Sequence, residues 1–204
     1  MTSQRIRLGV DIDGVLSNFT HGVWPYICQA TGKQLAYQDP SGWVNWAPFT
    51  EDEFLAGFRL AREQEDFWAN LRSYADNVAA LHSFLYTYGG GYASVVYVTS
   101  RPEAIIGPSV IAQTTRWLGK YTLLPAWTAV TVVTNPDYKP AVARALGLTA
   151  WVDDHLSTVL DGIRDGQHAY LLDRPWNGES EGRPAMIKDR VVDSLAEFLE
   201  KVAK

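Results

Sequence analysis

Two carboxylates stand one residue apart near the start of the chain, where Asp11 and Asp13 follow the mostly apolar run 6–10. That run predicts a buried strand, and residues two apart on a strand point to the same side. Both acids are therefore aimed at one spot, at the strand end where open α/β sheets bind their ligands. Like charges this close repel each other unless a cation or a shared proton is present. The pair therefore predicts a Mg²⁺ site and phosphoryl chemistry.

Two later positions carry groups suited to a phosphate. Thr99 and Ser100 end a second apolar run, where a hydroxyl can donate to a phosphate oxygen, or merely close the strand or cap the next helix. Lys139 stands at the start of a predicted short helix, where the helix dipole disfavours a cation. Its position gains a reason if the ammonium reaches a phosphoryl group or a carboxylate; the alternative is a solvated surface lysine.

A second acidic pair, Asp153 and Asp154, follows the apolar run 150–152 and repeats the arrangement at the start of the chain. Four carboxylates at two strand ends need a shared cation, and hard oxygen ligands suit Mg²⁺. Taken alone, the second pair could instead cap a predicted helix over 156–163.

Strand-like and helix-like patterns alternate along most of the chain. The predicted strands are the apolar runs 6–10, 94–99, 129–133, 150–152 and 169–172. Helical spacing separates them, and a last apolar stripe joins Val191, Leu195, Phe198, Leu199 and Val202. This alternation predicts an α/β fold with a Rossmann-like parallel sheet of about five strands and flanking helices.

Residues 17–75 interrupt this alternation and are rich in aromatic side chains. We expect a mostly helical cap here, inserted after the first strand, with residues 1–16 and 76–204 forming the α/β core. The aromatic side chains either form the core of the cap or, for some of them, line a pocket for a flat ring.

The composition narrows the class of protein. With 47% hydrophobic and 20% charged residues, the 204-residue chain is expected to fold as a globule. Its net charge of −5 argues against a nucleic-acid polymer as partner, but a small anionic substrate is compatible if a metal reverses the local field. One cysteine, no secretory signal before the first strand and no apolar run near about 20 residues predict a cytoplasmic protein without a membrane partner. The sequence is also compatible with a homodimer.

The order of these motifs resembles that of the haloacid-dehalogenase superfamily of phosphohydrolases. The matching residues are DIDGV at 11–15, VTSR at 98–101, Lys139 and WVDD at 151–154. Segments 65–71 and 172–177 are most similar to one branch of that superfamily, the 5′(3′)-deoxyribonucleotidases. The resemblance implies a Mg²⁺-dependent phosphatase for deoxyribonucleoside 5′- or 3′-monophosphates.

The same resemblance implies a role for each motif residue. Asp11 would attack phosphorus and form an aspartyl-phosphate, while Asp13 would protonate the leaving oxygen and later deprotonate water. The residues implied to bind the phosphate are Thr99, Ser100 and Lys139. The implied Mg²⁺ ligands are Asp11, the backbone carbonyl of Asp13, Asp154 and, directly or through water, Asp153.

Recognition of the base is implied for Phe19, which follows the catalytic loop. Further candidates for the base pocket are Phe67, Trp68, Trp43 and Trp46. Arg101 is a candidate substrate contact, or else a member of a surface salt bridge. Two other functions are compatible with the motifs: a phosphatase for a sugar phosphate or a polynucleotide 3′-phosphate, and a catalytically silent nucleotide-binding protein on the same fold.

Overall fold

The computed structural model describes residues 5–42, 46–89, 91–122, 129–178 and 182–204. Its strands are β1 (Ile6–Val10), β2 (Ala93–Ser100), β3 (Ala129–Val133), β4 (Ala150–Asp153), β5 (Ala169–Leu172) and β6 (Val191–Val192). Within the described ranges these form one six-stranded sheet, in the order β3-β2-β1-β4-β5-β6, with parallel pairing throughout. The predicted α/β fold with a parallel sheet is confirmed. The strand order reverses beside β1, where ligands of such sheets usually bind.

Seven α-helices connect or flank the strands in the part of the chain that the structure describes. They are α1 (Phe19–Thr31), α2 (Glu51–Arg62), α3 (Ala75–Tyr88), α4 (Val110–Tyr121), α5 (Lys139–Ala145), α6 (Leu156–Arg164) and α7 (Leu195–Val202). The central strands are mostly apolar and buried, as expected for parallel strands covered on both faces.

The C-terminal stripe differs from its prediction at Val191, which lies in the sixth strand rather than on a helix. Val191 and Val192 pair with Leu171 and Leu172 of β5. The helix begins only after Ser194, whose side chain accepts a hydrogen bond from the backbone N–H of Glu197 and caps the first turn. A two-residue strand is too short to show a period, so the helical spacing of the neighbouring residues masked it.

The predicted insertion after β1 contains α1 and α2, which pack closely against each other. Gly57 of α2 permits this approach, because a Cβ there would lie 2.4 Å from the Cα of Ile27 in α1. Thr50 and Glu53 form a capping box at the start of α2, which fixes where that helix begins.

The aromatic side chains of the insertion join the core of the sheet. Trp24 and Trp46 belong to the same buried cluster as Leu8 and Val10 of β1. The insertion is therefore packed onto the sheet by apolar contact, close to the strand end that carries Asp11. No helix in the described ranges is long and apolar enough to cross a membrane.

Candidate active site

The register of the sheet brings the ends of β1 and β4 to one level, and β2 continues past them to Ser100. Val10 at the end of β1 pairs with Tyr97 of β2 and with Val152 of β4. The backbone N–H of Asp11 then donates a 3.1 Å hydrogen bond to the Val152 carbonyl, which continues the ladder by one residue. Asp11 and Asp153 therefore leave the sheet side by side.

Three carboxylates converge at this edge of the sheet. Asp11, Asp153 and Asp154 are all buried, and each offers an oxygen that lies within 4.8 Å of the others. Lys139 lies among them, with its Nζ 3.0 Å from Asp11 Oδ1 and donating a 2.7 Å hydrogen bond to Asp153 Oδ2. Because Lys139 is only 4% exposed, it is not a solvated surface lysine. Its place at the start of α5 delivers the ammonium to the acids.

Burial and mutual repulsion shift the pKa values of this cluster. Burial first, and then the charge of Asp153, raises the pKa of Asp11 well above its usual value. The same two causes raise the pKa of Asp154 to about 7. Burial alone would lower the pKa of Lys139, but the charges of Asp11 and Asp153 outweigh it and raise that pKa. The single positive charge of Lys139 is therefore too little to neutralise the three carboxylates.

The three acids fit a hard divalent cation. Three carboxylates against one ammonium leave two negative charges, which is the charge that one Mg²⁺ ion cancels. Mg²⁺ is commonly held by one or two carboxylates, with water and substrate oxygens completing its octahedron. Both oxygens of Asp153 already accept hydrogen bonds, from Lys139 and from the backbone N–H of His155. The donor set therefore favours Asp11 and Asp154 as direct ligands.

Asp154 is oriented by residues after β5 to which sequence analysis gave no role. Trp176 Nε1 donates a 2.8 Å hydrogen bond to Asp154 Oδ2, and Asn177 Nδ2 donates to the Asp154 carbonyl at 2.6 Å. Both donors are buried. Both residues lie in the segment 172–177, which the sequence analysis had singled out, but the sequence does not show what their side chains contact.

Thr99 has an unused donor at the end of β2. It stands two residues beyond the Tyr97–Val10 pair, beside the loop that begins at Asp11. Its side chain is fully buried, and Thr99 Oγ1 has no hydrogen-bond partner among the residues described. Ser100 follows, half-buried at the end of the strand. Because a buried hydroxyl is normally paired, Thr99 is suited to donate to a bound phosphate oxygen.

Asp13 is held apart from the other acids. Arg101 donates two 2.7 Å hydrogen bonds to its carboxylate, from Nε to Oδ2 and from Nη2 to Oδ1. Ser17 Oγ donates a third hydrogen bond, to Oδ1 at 2.6 Å. The side chain of Asp13 is therefore not part of the metal-binding group, and only its backbone carbonyl remains for the predicted contact with the cation. Arg101 is fully buried, so its salt bridge is internal rather than on the surface.

The candidate base-pocket residues differ in how much ring surface they present. Phe67, Trp68 and Trp46 are at most 5% exposed and pack on other aromatic rings, so they serve as core in this structure. Phe19 is half-buried and stacks on Trp68 with ring centroids 5.8 Å apart. Trp43 lies outside the described residues. The prediction of a base pocket therefore depends mainly on Phe19.

Comparison with solved structures identifies the fold. The chain is similar to a haloacid dehalogenase-like hydrolase of Streptococcus pneumoniae, with a TM-score of 0.63, 10% identity, and 98% and 99% of the two chains covered. A HAD-family hydrolase of Deinococcus radiodurans, solved with bound phosphate and sodium, gives a TM-score of 0.59 at 14% identity, covering 98% and 97%. The D,D-heptose 1,7-bisphosphate phosphatase of Burkholderia thailandensis gives 0.53 at 13% identity, covering 98% and 99%.

No protein-family model and no curated protein matches the sequence. At this level of identity the structural likeness establishes the fold alone. The chain has the α/β fold of haloacid dehalogenase-like hydrolases, with a buried cluster of aspartates at the carboxyl ends of the strands, where open α/β sheets usually bind ligands.

Proposed function

We propose that this protein is a Mg²⁺-dependent phosphatase that hydrolyses nucleoside monophosphates, as a 5′- or 3′-deoxyribonucleotidase. The observation that carries the proposal is the cluster of Asp11, Asp153 and Asp154 around Lys139, which leaves two negative charges uncancelled. The unpaired hydroxyl of Thr99 beside it supports a phosphate as the ligand.

Asp11 is the nucleophile in this proposal. Its carboxylate oxygen attacks phosphorus as the bond from phosphorus to the substrate oxygen breaks, which yields an aspartyl-phosphate and an alcohol. Asp13 gives a proton to the leaving oxygen and then takes one from the water that attacks the aspartyl-phosphate. Inorganic phosphate leaves, and both carboxyl groups return to their starting state.

Charge on the transferring phosphoryl group is neutralised by residues already in place. Lys139 lies against Asp11, so its ammonium is positioned to contact an oxygen of the phosphoryl group that Asp11 receives. Thr99 and Ser100 stand at the next strand end and donate to further oxygens. Asp11, Asp154 and the backbone carbonyl of Asp13 would hold Mg²⁺, which when bound offsets the negative charge shared by the acids and the phosphate.

The insertion supports a nucleoside as the remainder of the substrate. Phe19 follows the catalytic loop directly: Ser17 contacts Asp13, and α1 begins at Phe19. A ring at this place can stack on a base, which is worth roughly 1–3 kcal/mol. The aromatic neighbours behind Phe19 give that ring a fixed orientation.

A second candidate function is hydrolysis of a sugar phosphate with the same chemistry. The burial of Trp46, Phe67 and Trp68 favours it, because it leaves less aromatic surface for a base than the sequence suggested. The two candidates share all residues that touch the phosphate and differ only in the group that Phe19 faces.

Phosphate release from a panel of nucleoside 5′- and 3′-monophosphates and sugar phosphates, with Mg²⁺ and with chelator, tests the proposal. We expect release that requires Mg²⁺ and is fastest with nucleotides. Fastest release from sugar phosphates would select the second candidate. A nucleotide that binds without any phosphate release in Mg²⁺ would contradict both and indicate a binding protein.

A further inference from the structure

The environment of Arg101 is more elaborate than an ion pair requires. The guanidinium is fully buried just after the end of β2, and each of its three nitrogens donates a hydrogen bond. Nε and Nη2 donate to the two oxygens of Asp13, and Nη1 donates to Thr114 Oγ1 of α4 at 2.9 Å. This is a fork-to-fork geometry, which fixes the plane of a carboxylate as well as its position.

Thr114 is itself fixed, so the support for Arg101 extends into the core. Thr114 is fully buried, and its hydroxyl donates a 2.7 Å hydrogen bond to the carbonyl of Val110, one turn earlier in α4. The hydroxyl therefore has its lone pairs directed to accept from Arg101. The guanidinium is thus hydrogen-bonded to a buried residue of α4 as well as to Asp13.

Trp68, in the predicted insertion, packs against another side of the Arg101 guanidinium. The guanidinium carbon of Arg101 lies 4.8 Å from the ring centroid of Trp68, which is a cation–π distance. Trp68 in turn stacks on Phe19, and its backbone N–H donates to the buried side chain of Gln113 in α4. Arg101 therefore contacts both the aromatic core of the insertion, at Trp68, and the carboxylate of Asp13.

From this geometry we infer that Arg101 is a positioning residue for Asp13, holding that carboxyl in the direction that proton exchange with the substrate oxygen and with water requires. The inference rests on the proposed function, because it presumes that Asp13 exchanges those protons. It assigns Arg101 no contact with the substrate. It replaces the sequence-based expectation that Arg101 touches the phosphate or the sugar.

The test compares R101M and R101K with D13N in the full-length protein, measuring kcat and KM with Mg²⁺ present. General acid–base groups contribute about 10²–10⁴-fold to rate, so D13N should lower kcat by that range. R101M should lower kcat by about tenfold to a hundredfold, with KM within about twofold, because a misaligned Asp13 still exchanges protons and the phosphate ligands are intact. R101K keeps the positive charge but cannot donate two parallel hydrogen bonds to Asp13, so its kcat should lie between those of R101M and the wild type.

Two readouts separate positioning from general damage to the fold. First, R101M should cost little further activity in a D13N background, since Arg101 acts only through Asp13. Second, in a single turnover, R101M should slow release of the alcohol from a nucleoside monophosphate several-fold more than release of p-nitrophenol from p-nitrophenyl phosphate, whose leaving group departs without a proton. Release of the alcohol reports the first step alone, whereas the second step, in which Asp13 takes a proton from water, is the same for both substrates. A structural defect would lower activity on both substrates alike and would add to D13N.

Matched controls use other residues of α4. Arg116 also donates two hydrogen bonds to one carboxylate, that of Asp66, but this pair is exposed and includes none of the clustered acids. R116M should leave kcat and KM unchanged. T114V keeps Arg101 but removes the hydroxyl that anchors it, together with the hydrogen bond from that hydroxyl to the Val110 carbonyl. It should lower kcat about threefold to tenfold, and it carries the test if R101M does not fold.

The outcomes distinguish this inference from the proposed function. Phosphatase activity that D13N reduces and that R101M, R101K and T114V leave unchanged would overturn the inference alone. A raised KM with unchanged kcat in R101M would also overturn it, in favour of a direct substrate contact. An active D13N, or a wild-type protein that releases no phosphate from the panel, would overturn both.

Discussion

The Cα of Gly14 lies directly against the carboxyl of Asp154, which joins the first acidic motif of the chain to the last. A Cβ added at position 14 would lie 1.8 Å from Asp154 Oδ2, and Gly14 has a φ of +77°, a conformation that favours glycine. The glycine of the motif is therefore required twice, once for the turn and once for the close approach of the Asp154 carboxyl.

We expect G14A to displace Asp154 and weaken Mg²⁺ binding by at least about tenfold, together with a loss of stability from the strained backbone. Gly32 is a matched control, because it has a φ of +69° but nothing within 4 Å of its added Cβ. G32A should show the backbone strain without the loss of Mg²⁺ response. Thermal unfolding at a series of Mg²⁺ concentrations measures both effects, and an equal Mg²⁺ response in the two variants would contradict this contact.

Trp176 should set the affinity of the site through its hydrogen bond to Asp154. W176F keeps the buried aromatic volume and removes the N–H donor, and we expect about tenfold weaker Mg²⁺ binding. W151F is the control, because Trp151 is buried on β4 beside the site but donates its indole N–H to Gln167. The Mg²⁺ dependence of phosphate release reports the difference; equal dependence in both variants would show that this hydrogen bond does not orient the ligand.

The pKa values predict how Mg²⁺ and protons compete. In the metal-free folded protein Asp154 has a pKa of about 7, against 3.8 for an ordinary aspartate, and that of Asp11 is also raised. Between these values the folded state binds more protons than the unfolded state, so the metal-free protein loses stability as pH rises towards 7. Mg²⁺ requires the deprotonated carboxylates, so its stabilising effect should grow over the same range.

Melting temperatures with Mg²⁺ and with chelator, compared at each pH from about 5.5 to 8, test this expectation. Comparing at each pH removes the contribution of His155, whose pKa is lowered by burial and acts in the opposite direction. D154N should show little Mg²⁺ effect at any pH. A Mg²⁺ effect in the wild type that is constant or shrinks with rising pH would contradict the assignment.

Phe19 distinguishes the two candidate substrate classes. F19L keeps an apolar side chain but removes the ring, so stacking on a base is lost, and KM for nucleoside monophosphates should rise about tenfold or more. KM for a sugar phosphate, which has no base, should change little. Steady-state kinetics on both substrates measure this, and equal changes in the two KM values would exclude base stacking on Phe19.

The sequence was sufficient for the sheet and for the convergence of Asp11, Asp153 and Asp154, but the expectation that the Asp13 carboxylate joins them was wrong, because it pairs with Arg101. The run 150–152 is continuous and apolar, and the run 6–10 is apolar except for Arg7. Acids that follow parallel strands lie at the same edge of the sheet. β6 was missed, because Val191 and Val192 are too few to show a period.

The pairing of Asp13 with Arg101 was not predicted, because the two residues are far apart in the chain and their side-chain directions depend on tertiary packing. The aromatic residues show the same limit. Their types predicted either a core or a pocket, and only packing decided that Trp46 and Trp68 are buried.

Trapping the phosphoryl group on the protein tests the central claim most directly. The protein is mixed with Mg²⁺ and the substrate of the panel from which it releases phosphate fastest, quenched in acid within one turnover, and digested for mass spectrometry. We predict a phosphoryl group on the peptide that carries Asp11, and none, with turnover abolished, in a folded D11N variant. Undiminished phosphate release by D11N, or a phosphoryl group on another residue, would contradict the account.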